Sequence, residues 1–350
     1  MIIKENYYEE HIRELQTAVK GDPRLIERTL YAFGLLEALV AVGMDFTFKG
    51  GTSLLLLLSK PKRLSTDIDI VVEPSTDVDK FIIKASHIFP FLSMEEQKRR
   101  NRDVIVKRHF KFTYNSPINR SPLYILLDVL YETNAYEKIV EKKIENDLLL
   151  TEGDNLAVKI PSLDCILGDK MTAFAPYTTG IPLRQNRDLE VMKQFYDICT
   201  LIEEISCFED VLSTYCNIVR TETNYRGGKY TPAQVLEDTI KAASCIGSRG
   251  KIAPEDFPSY VKGSRDIVNH IYGQKFSMEK AALMAPKLIH MAACILTRQP
   301  FIKIKDSEFF KNESLTQDDL KYMKNFRKLR DTSYAHLVQA DRLLNEYRNC

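Results

Sequence analysis

The chain of 350 residues has no tryptophan and only 14 glycines and 14 prolines, which argues against collagen-like, low-complexity or broadly disordered architecture. Its seven cysteines, at 165, 199, 207, 216, 245, 294 and 350, are odd in number, with no Cys-x-x-Cys pair and no histidine at a ligand spacing. A disulfide framework and a zinc site are therefore disfavoured, and reduced, mostly buried thiols are expected. No stretch approaches the roughly 18 apolar residues needed to span a bilayer. The opening residues MIIKENYYEEHIREL lack the apolar core of a signal peptide, so a cytoplasmic protein without membrane contact is expected. A one-sided charge is missing too: 49 Lys and Arg against 48 Asp and Glu leave a formal +1. Bulk charge cannot hold such a chain to nucleic acid, and any binding of that kind needs a local patch.

What is present is a globular composition, 44% hydrophobic and 28% charged, with length enough for two domains at about 150 residues each. Asp22-Pro23 places an acid at a helix N-cap and proline at the first helical position, and apolar residues follow at helical spacing as far as Gly43. A short strand over 45–48, the pair Gly50-Gly51, a leucine-rich helix over 53–59 and an alternating acidic strand over 67–72 come next. Further strands are expected over 104–114 and over 123–131, the latter apolar enough for burial on both faces. From Leu163 the pattern turns helical, over 163–174 and 189–205, with a loop at 177–188 between them. Beyond 206 come capped helices opening at Thr231-Pro232 and closing near Gly247, and opening at Ser277 towards Arg298 with Pro286 as a kink. Two more are expected over 316–330 and 332–348. The expectation is an α+β chain: a sheet-bearing domain over 1–205 and an all-helical bundle over 206–350.

The chemistry concentrates in Phe48-Lys49-Gly50-Gly51-Thr52-Ser53 and Arg63-Leu64-Ser65-Thr66-Asp67-Ile68-Asp69. On a strand, residues two apart share a face, so Asp67 and Asp69 present two carboxylates together with Ile68 and Ile70 behind them. Two such acids repel unless a cation lies between them, and the hard cation that carboxylates hold beside phosphates is Mg2+. A Gly-Gly turn into a helix offers backbone N–H groups, and the Thr52 and Ser53 hydroxyls, to a phosphate chain. These are the parts for metal-assisted nucleotidyl transfer. Asp128, in the apolar run Leu126-Leu127-Asp128-Val129-Leu130, needs a partner if it is buried.

These segments resemble the signature of the AbiEii/AbiGii toxin family of nucleotidyltransferases, within the DNA polymerase beta superfamily. The resemblance continues through Pro161-Ser162-Leu163 ahead of Asp169-Lys170, and through Lys193-Gln194-Phe195-Tyr196-Asp197-Ile198, so that it spans residues 25–205. It implies a minimal nucleotidyltransferase domain with a mixed sheet flanked by helices. It further implies that Gly50, Gly51, Thr52 and Ser53, with Arg63 and Ser65, hold an NTP triphosphate, and that Asp67, Asp69 and Asp128 bind Mg2+. Asp128 would be the superfamily's third carboxylate, ligand or general base. Lys170 would neutralise phosphate charge, with Asp197 positioning it or the nucleotide. By the same resemblance the chain would be a toxin with a tRNA or other RNA acceptor and an antitoxin partner. Gln194 stands where relatives often carry an acid, and the loop over 177–188 is longer than usual, which leaves the acceptor open. A small hydroxyl compound of antibiotic type is the alternative acceptor, and a non-catalytic nucleotide-binding module the alternative class. The cluster Lys98-Arg99-Arg100-Asn101-Arg102 with Lys107, Arg108 and Lys111 could contact phosphates or guard a sheet edge, Arg184 and Arg187 are a weaker candidate, and the six histidines show no catalytic spacing.

Overall fold

A computed structural model describes residues 1–60, 62–97, 107–304 and 315–349. The stretch 98–106, with most of the expected basic cluster, lies outside the described residues, as does Cys350. The chain forms two compact units: unit 1 comprises Met1–Ser162 with Asn269–Lys275, and unit 2 comprises Leu163–Val268 with Phe276–Cys350. The domain boundary expected near 206 falls within unit 2, in the link between two helices.

Unit 1 opens with helices α1 (Glu9–Val19) and α2 (Pro23–Ala41), the second capped by Asp22, whose carboxylate accepts from Arg24 N at 2.9 Å. Strand β1 (Thr47–Lys49) runs straight into α3 (Gly50–Leu57), followed by β2 (Ile68–Val72), α4 (Asp79–Ser86), β3 (Ser93–Glu96), β4 (Lys107–Asn115), β5 (Pro122–Tyr131), β6 (Ile139–Lys143) and β7 (Ala157–Pro161). The seven strands make one mixed sheet in the order β3-β4-β5-β2-β1-β7-β6, with β2·β5 and β1·β7 parallel and the other pairs antiparallel. The mixed sheet flanked by helices is the fold class expected from the sequence.

Two local expectations change. The glycine pair is not a turn ahead of a helix, because α3 begins at Gly50 itself, with Lys49 at its N-cap. Strand β5 is not buried on both faces: Ile125, Leu127 and Val129 are in the core, while Leu126, Asp128 and Leu130 on the opposite face are only half-buried. The alternation leaves Asp128 on a face that water reaches, and this relieves the cost of an unpartnered acid in a core.

Unit 2 contains α5 (Leu163–Ala173), α6 (Asp188–Glu204), α7 (Phe208–Tyr225), α8 (Pro232–Gly247), α9 (Phe257–Asp266), α10 (Met278–Thr297), α11 (Gln317–Met323) and α12 (Asp331–Asn349). Thr231 and Gln234 form a complete capping box on α8, and Ser277 caps α10, as their sequences predict. Helix α10 continues through Pro286, packs against α8 and α12, and is long and apolar enough to cross a membrane by length and composition. With 67% of its apolar window buried it is the core helix of the unit. The helix expected over 316–330 is shorter: α11 ends at Met323, and Lys328 takes a left-handed backbone before α12 starts. Helix α7 escapes a local reading because no side chain of its own first turn caps it. Asp164 of α5 instead fixes the two residues ahead of it, accepting from Ser206 N at 3.0 Å and Cys207 N at 3.1 Å.

Candidate functional site

In unit 1 the strand registers assemble a row across the sheet. Lys49 is the register partner of Asp69 between β1 and β2, Asp69 of Asp128 between β2 and β5, and Asp128 of His109 between β5 and β4. Register partners face the same side of a sheet, so the order cation, acid, acid, imidazole is built by pairing alone. Adjacent strands lie about 4.8 Å apart, which sets Asp69 and Asp128 side by side. A small cavity of about 90 Å³ opens on this row, lined by Lys49, Asp69, Lys107 and Asp128 with apolar residues of β2 and β5. Asp67 precedes β2, and its side chain, 47% exposed, stands 3.7 Å from Arg28 Nη2.

The start of α3 is fitted to this row. Gly50 has φ +82°, and a Cβ there would collide with Asp69 Oδ2, so both backbone and space require glycine. A Cβ at Gly51 would meet Arg63 Nη2 and lie 3.0 Å from Ser65 Oγ, which places the expected phosphate-binding residues Gly51, Arg63 and Ser65 together. Arg63 is itself buried, donating to Leu64 O at 3.1 Å, and its strand-like bridge to Ile271 brings in the late segment Asn269–Lys275. Thr52 and Ser53 are fully buried. Thr52 Oγ1 donates to Asp67 O at 2.6 Å and Ser53 Oγ to Gly50 O at 2.8 Å, so these hydroxyls tie α3 to the acidic segment and to its own first turn. No side chain caps α3, and its first N–H groups retain the partial positive charge that receives anions.

In unit 2, Lys170 Nζ lies 2.9 Å from Asp197 Oδ2 and donates to Gln194 Oε1 at 3.0 Å. The two partners are almost wholly buried, at 7% and 2% side-chain exposure. Gln194 thus makes with its amide oxygen a contact that an acid could also make. Arg184, from the long loop, pairs with buried Asp256 at 2.7 Å, and Asp238 accepts from Tyr177 N at 2.7 Å and Thr178 Oγ1 at 2.9 Å, so two acids pin that loop.

Of the basic residues that can be described near the sheet edge, Arg108 is held by both Glu96 oxygens and by Asp79, and Lys111 lies 4.5 Å over the Tyr124 ring. The residue that sequence reasoning passed over is His109, whose Nδ1 is 2.7 Å from Asp128 Oδ1. Its signal was the β4–β5 hairpin: closing it at Asn115 and Pro122 sets His109 opposite Asp128. Among the described residues no group of three or more His, Cys, Asp or Glu side chains is arranged to hold a metal ion. The adjacent pair Asp69 and Asp128 nevertheless supplies the oxygen donors a hard divalent cation takes, while Asp67 Oδ1 lies 3.7 Å from Arg28 and accepts from Thr66 Oγ1 at 3.4 Å.

A family model described as "Nucleotidyl transferase AbiEii toxin, Type IV TA system" matches residues 34–252, a span that includes Gly50, Gly51, Arg63, Asp67, Asp69, His109, Asp128, Lys170, Gln194 and Asp197. No curated protein shows a significant match to the chain. Among solved structures, JHP933 from Helicobacter pylori is similar at 15% identity and TM-score 0.44 over 78% of this chain and 93% of its own. An antigenic nucleotidyltransferase-like protein from Paracoccidioides brasiliensis is similar at 15% identity and TM-score 0.36 over 57% of this chain and 91% of its own.

Proposed function

From the premise that the chain belongs to the AbiEii family of nucleotidyltransferases, we propose that it moves a nucleoside monophosphate from an NTP to the hydroxyl of an RNA acceptor, tRNA above all, and releases pyrophosphate. The observation that carries this reading is the register pairing of Asp69 with Asp128 against the uncapped start of α3. The N–H groups at Gly51 to Ser53 would receive the triphosphate, with Arg63 and Ser65 beside Gly51 adding a cation and a hydroxyl. Asp67, Asp69 and Asp128 would hold Mg2+, which when bound neutralises phosphate charge and steadies the in-line displacement. Asp69 keeps its carboxylate against Gly50, and Asp128 stands next to it to take up the proton of the attacking hydroxyl or to complete the ligand set. Lys170 would serve the phosphates, with Asp197 and Gln194 as the groups that orient its ammonium. The family's description as a type IV toxin supports a role as the toxin half of a pair with an antitoxin.

The test is to incubate the protein with Mg2+, each of the four alpha-labelled NTPs in turn, and total tRNA, beside an Asp67→Asn/Asp69→Asn control. Label on tRNA with the wild type alone is the expected result. No label on tRNA, with Mg2+-dependent NTP binding retained, overturns the RNA acceptor and directs the search to small hydroxyl compounds.

A further inference from the structure

We propose that His109 is a positioning residue for the metal-binding carboxylates, an inference that rests on the nucleotidyltransferase reading of the same site. Its imidazole is buried on β4, with 11% of the side chain exposed, whereas the Asp128 carboxylate beside it is 36% exposed. The 2.7 Å contact joins Nδ1 to Oδ1. A carboxylate oxygen accepts, so Nδ1 is the donor in this contact. One lone pair of Oδ1 thereby faces His109.

An aspartate on a sheet face can otherwise turn about χ1 and χ2 and offer either oxygen, or both, to a cation. The contact from the neighbouring strand removes that freedom and fixes the carboxylate in one orientation on the sheet face shared with Asp69. Ligating carboxylates are commonly hydrogen-bonded from outside the ligand set, and loss of such a bond weakens metal binding by about 10-fold to 100-fold. The arrangement is built by register, since His109, Asp128 and Asp69 are successive partners across β4, β5 and β2.

The experiment compares Mn2+ affinity, read by electron paramagnetic resonance on the full chain, in the wild type, His109→Asn, His109→Gln and Asp69→Asn. Asparagine places an N–H donor where Nδ1 stands, and glutamine carries it out towards the position of Nε2. Mn2+ affinity within about threefold of the wild type in His109→Asn, with a loss of about tenfold or more in folded His109→Gln, is the expected result. Equal affinity in His109→Asn and His109→Gln, whether kept or lost, overturns the positioning role, because a merely structural contact does not distinguish the two donors. Mn2+ binding unchanged by Asp69→Asn overturns the metal reading itself and is recognised separately from the first failure. Where transfer is measurable, His109→Gln should lower kcat at saturating metal less than at limiting metal.

Discussion

The two groupings of charged residues in this protein are handled in opposite ways. In unit 1, Asp67 and Asp128 keep 47% and 36% of their side chains in solvent. In unit 2, Lys170 and Asp197 are buried against each other and against Gln194. Carboxylates that stay hydrated hold their charge at little cost and remain open to a cation that arrives later. A buried ion pair has already exchanged water for its partner and is satisfied only while both members are present. The first arrangement is suited to ligand chemistry, with little stability at stake. The second couples any chemical role of Lys170 to the integrity of the helices that carry it.

The largest effect that can break this contrast is expected at Asp69. Asp69→Asn should lower nucleotidyl transfer by about 10³-fold, equivalent to about 4 kcal/mol of transition-state stabilisation, while the urea midpoint stays unchanged or rises. A midpoint that falls with the activity would make the acid structural. Removing one member of the buried pair should do what Asp69→Asn does not: Lys170→Met leaves Asp197 buried without its cation and should cost about 3 kcal/mol in urea unfolding. The double substitution Lys170→Met/Asp197→Leu should recover most of that stability without recovering transfer, if Lys170 has a chemical role. Gly50→Ala combines the two behaviours, since φ +82° strains alanine and its Cβ displaces the Asp69 carboxylate. A loss of about 2 kcal/mol in unfolding free energy, with a larger proportional loss of transfer, would show that α3 and the acids are one device.

The smallest effect concerns pH and belongs to unit 2. His290 Nδ1 lies 2.9 Å from His336 Nδ1 in the core, and Phe301 stacks on the His336 ring. Burial lowers His290 to about 4, and burial, then His290 and Lys287, lower His336 to about 3. Both values lie below the roughly 6.5 of an unfolded histidine, so the unfolded chain binds more protons at intermediate pH. Their contribution to stability is complete above about pH 6.5 and is lost as pH falls towards 4 and then 3, in proportion to the extra protons that the unfolded chain binds. Urea midpoints measured from pH 7 to pH 4 should fall, and His336→Phe should flatten that slope. An unchanged slope in the variant would assign the acid sensitivity to other groups.

Much of this molecule is legible locally. Asp22-Pro23, Thr231-Pro232 and Ser277 mark helix starts because a cap acts on N–H groups only a few residues away. The alternation around Ile68, Asp69 and Ile70 marks a strand because its period is two. Helix α7 was not legible, since no side chain caps its first turn and the residues ahead of it are held by Asp164, on α5. The strands β3, β6 and β7 were not legible either. Ser93–Glu96 and Ile139–Lys143 lie at the two edges of the sheet with largely exposed side chains, and their place comes from backbone pairing that leaves little trace in side-chain type.

The same division holds for the site. The sequence by itself determined which groups are available: a glycine pair, two acids two residues apart, a third acid in an apolar run, and a lysine ahead of a Tyr-Asp helix. Each is a short-range pattern, and the chemistry of each follows from residue type and spacing. Only the tertiary structure decided that Asp69 and Asp128 stand side by side, that His109 holds one oxygen of that pair, and that Lys170 is buried on Asp197. The physical reason is that a parallel pairing such as β2·β5 joins strands far apart in the chain. A one-residue change of register would turn Asp128 to the other face, so its neighbours are fixed by the hydrogen bonds of the whole sheet.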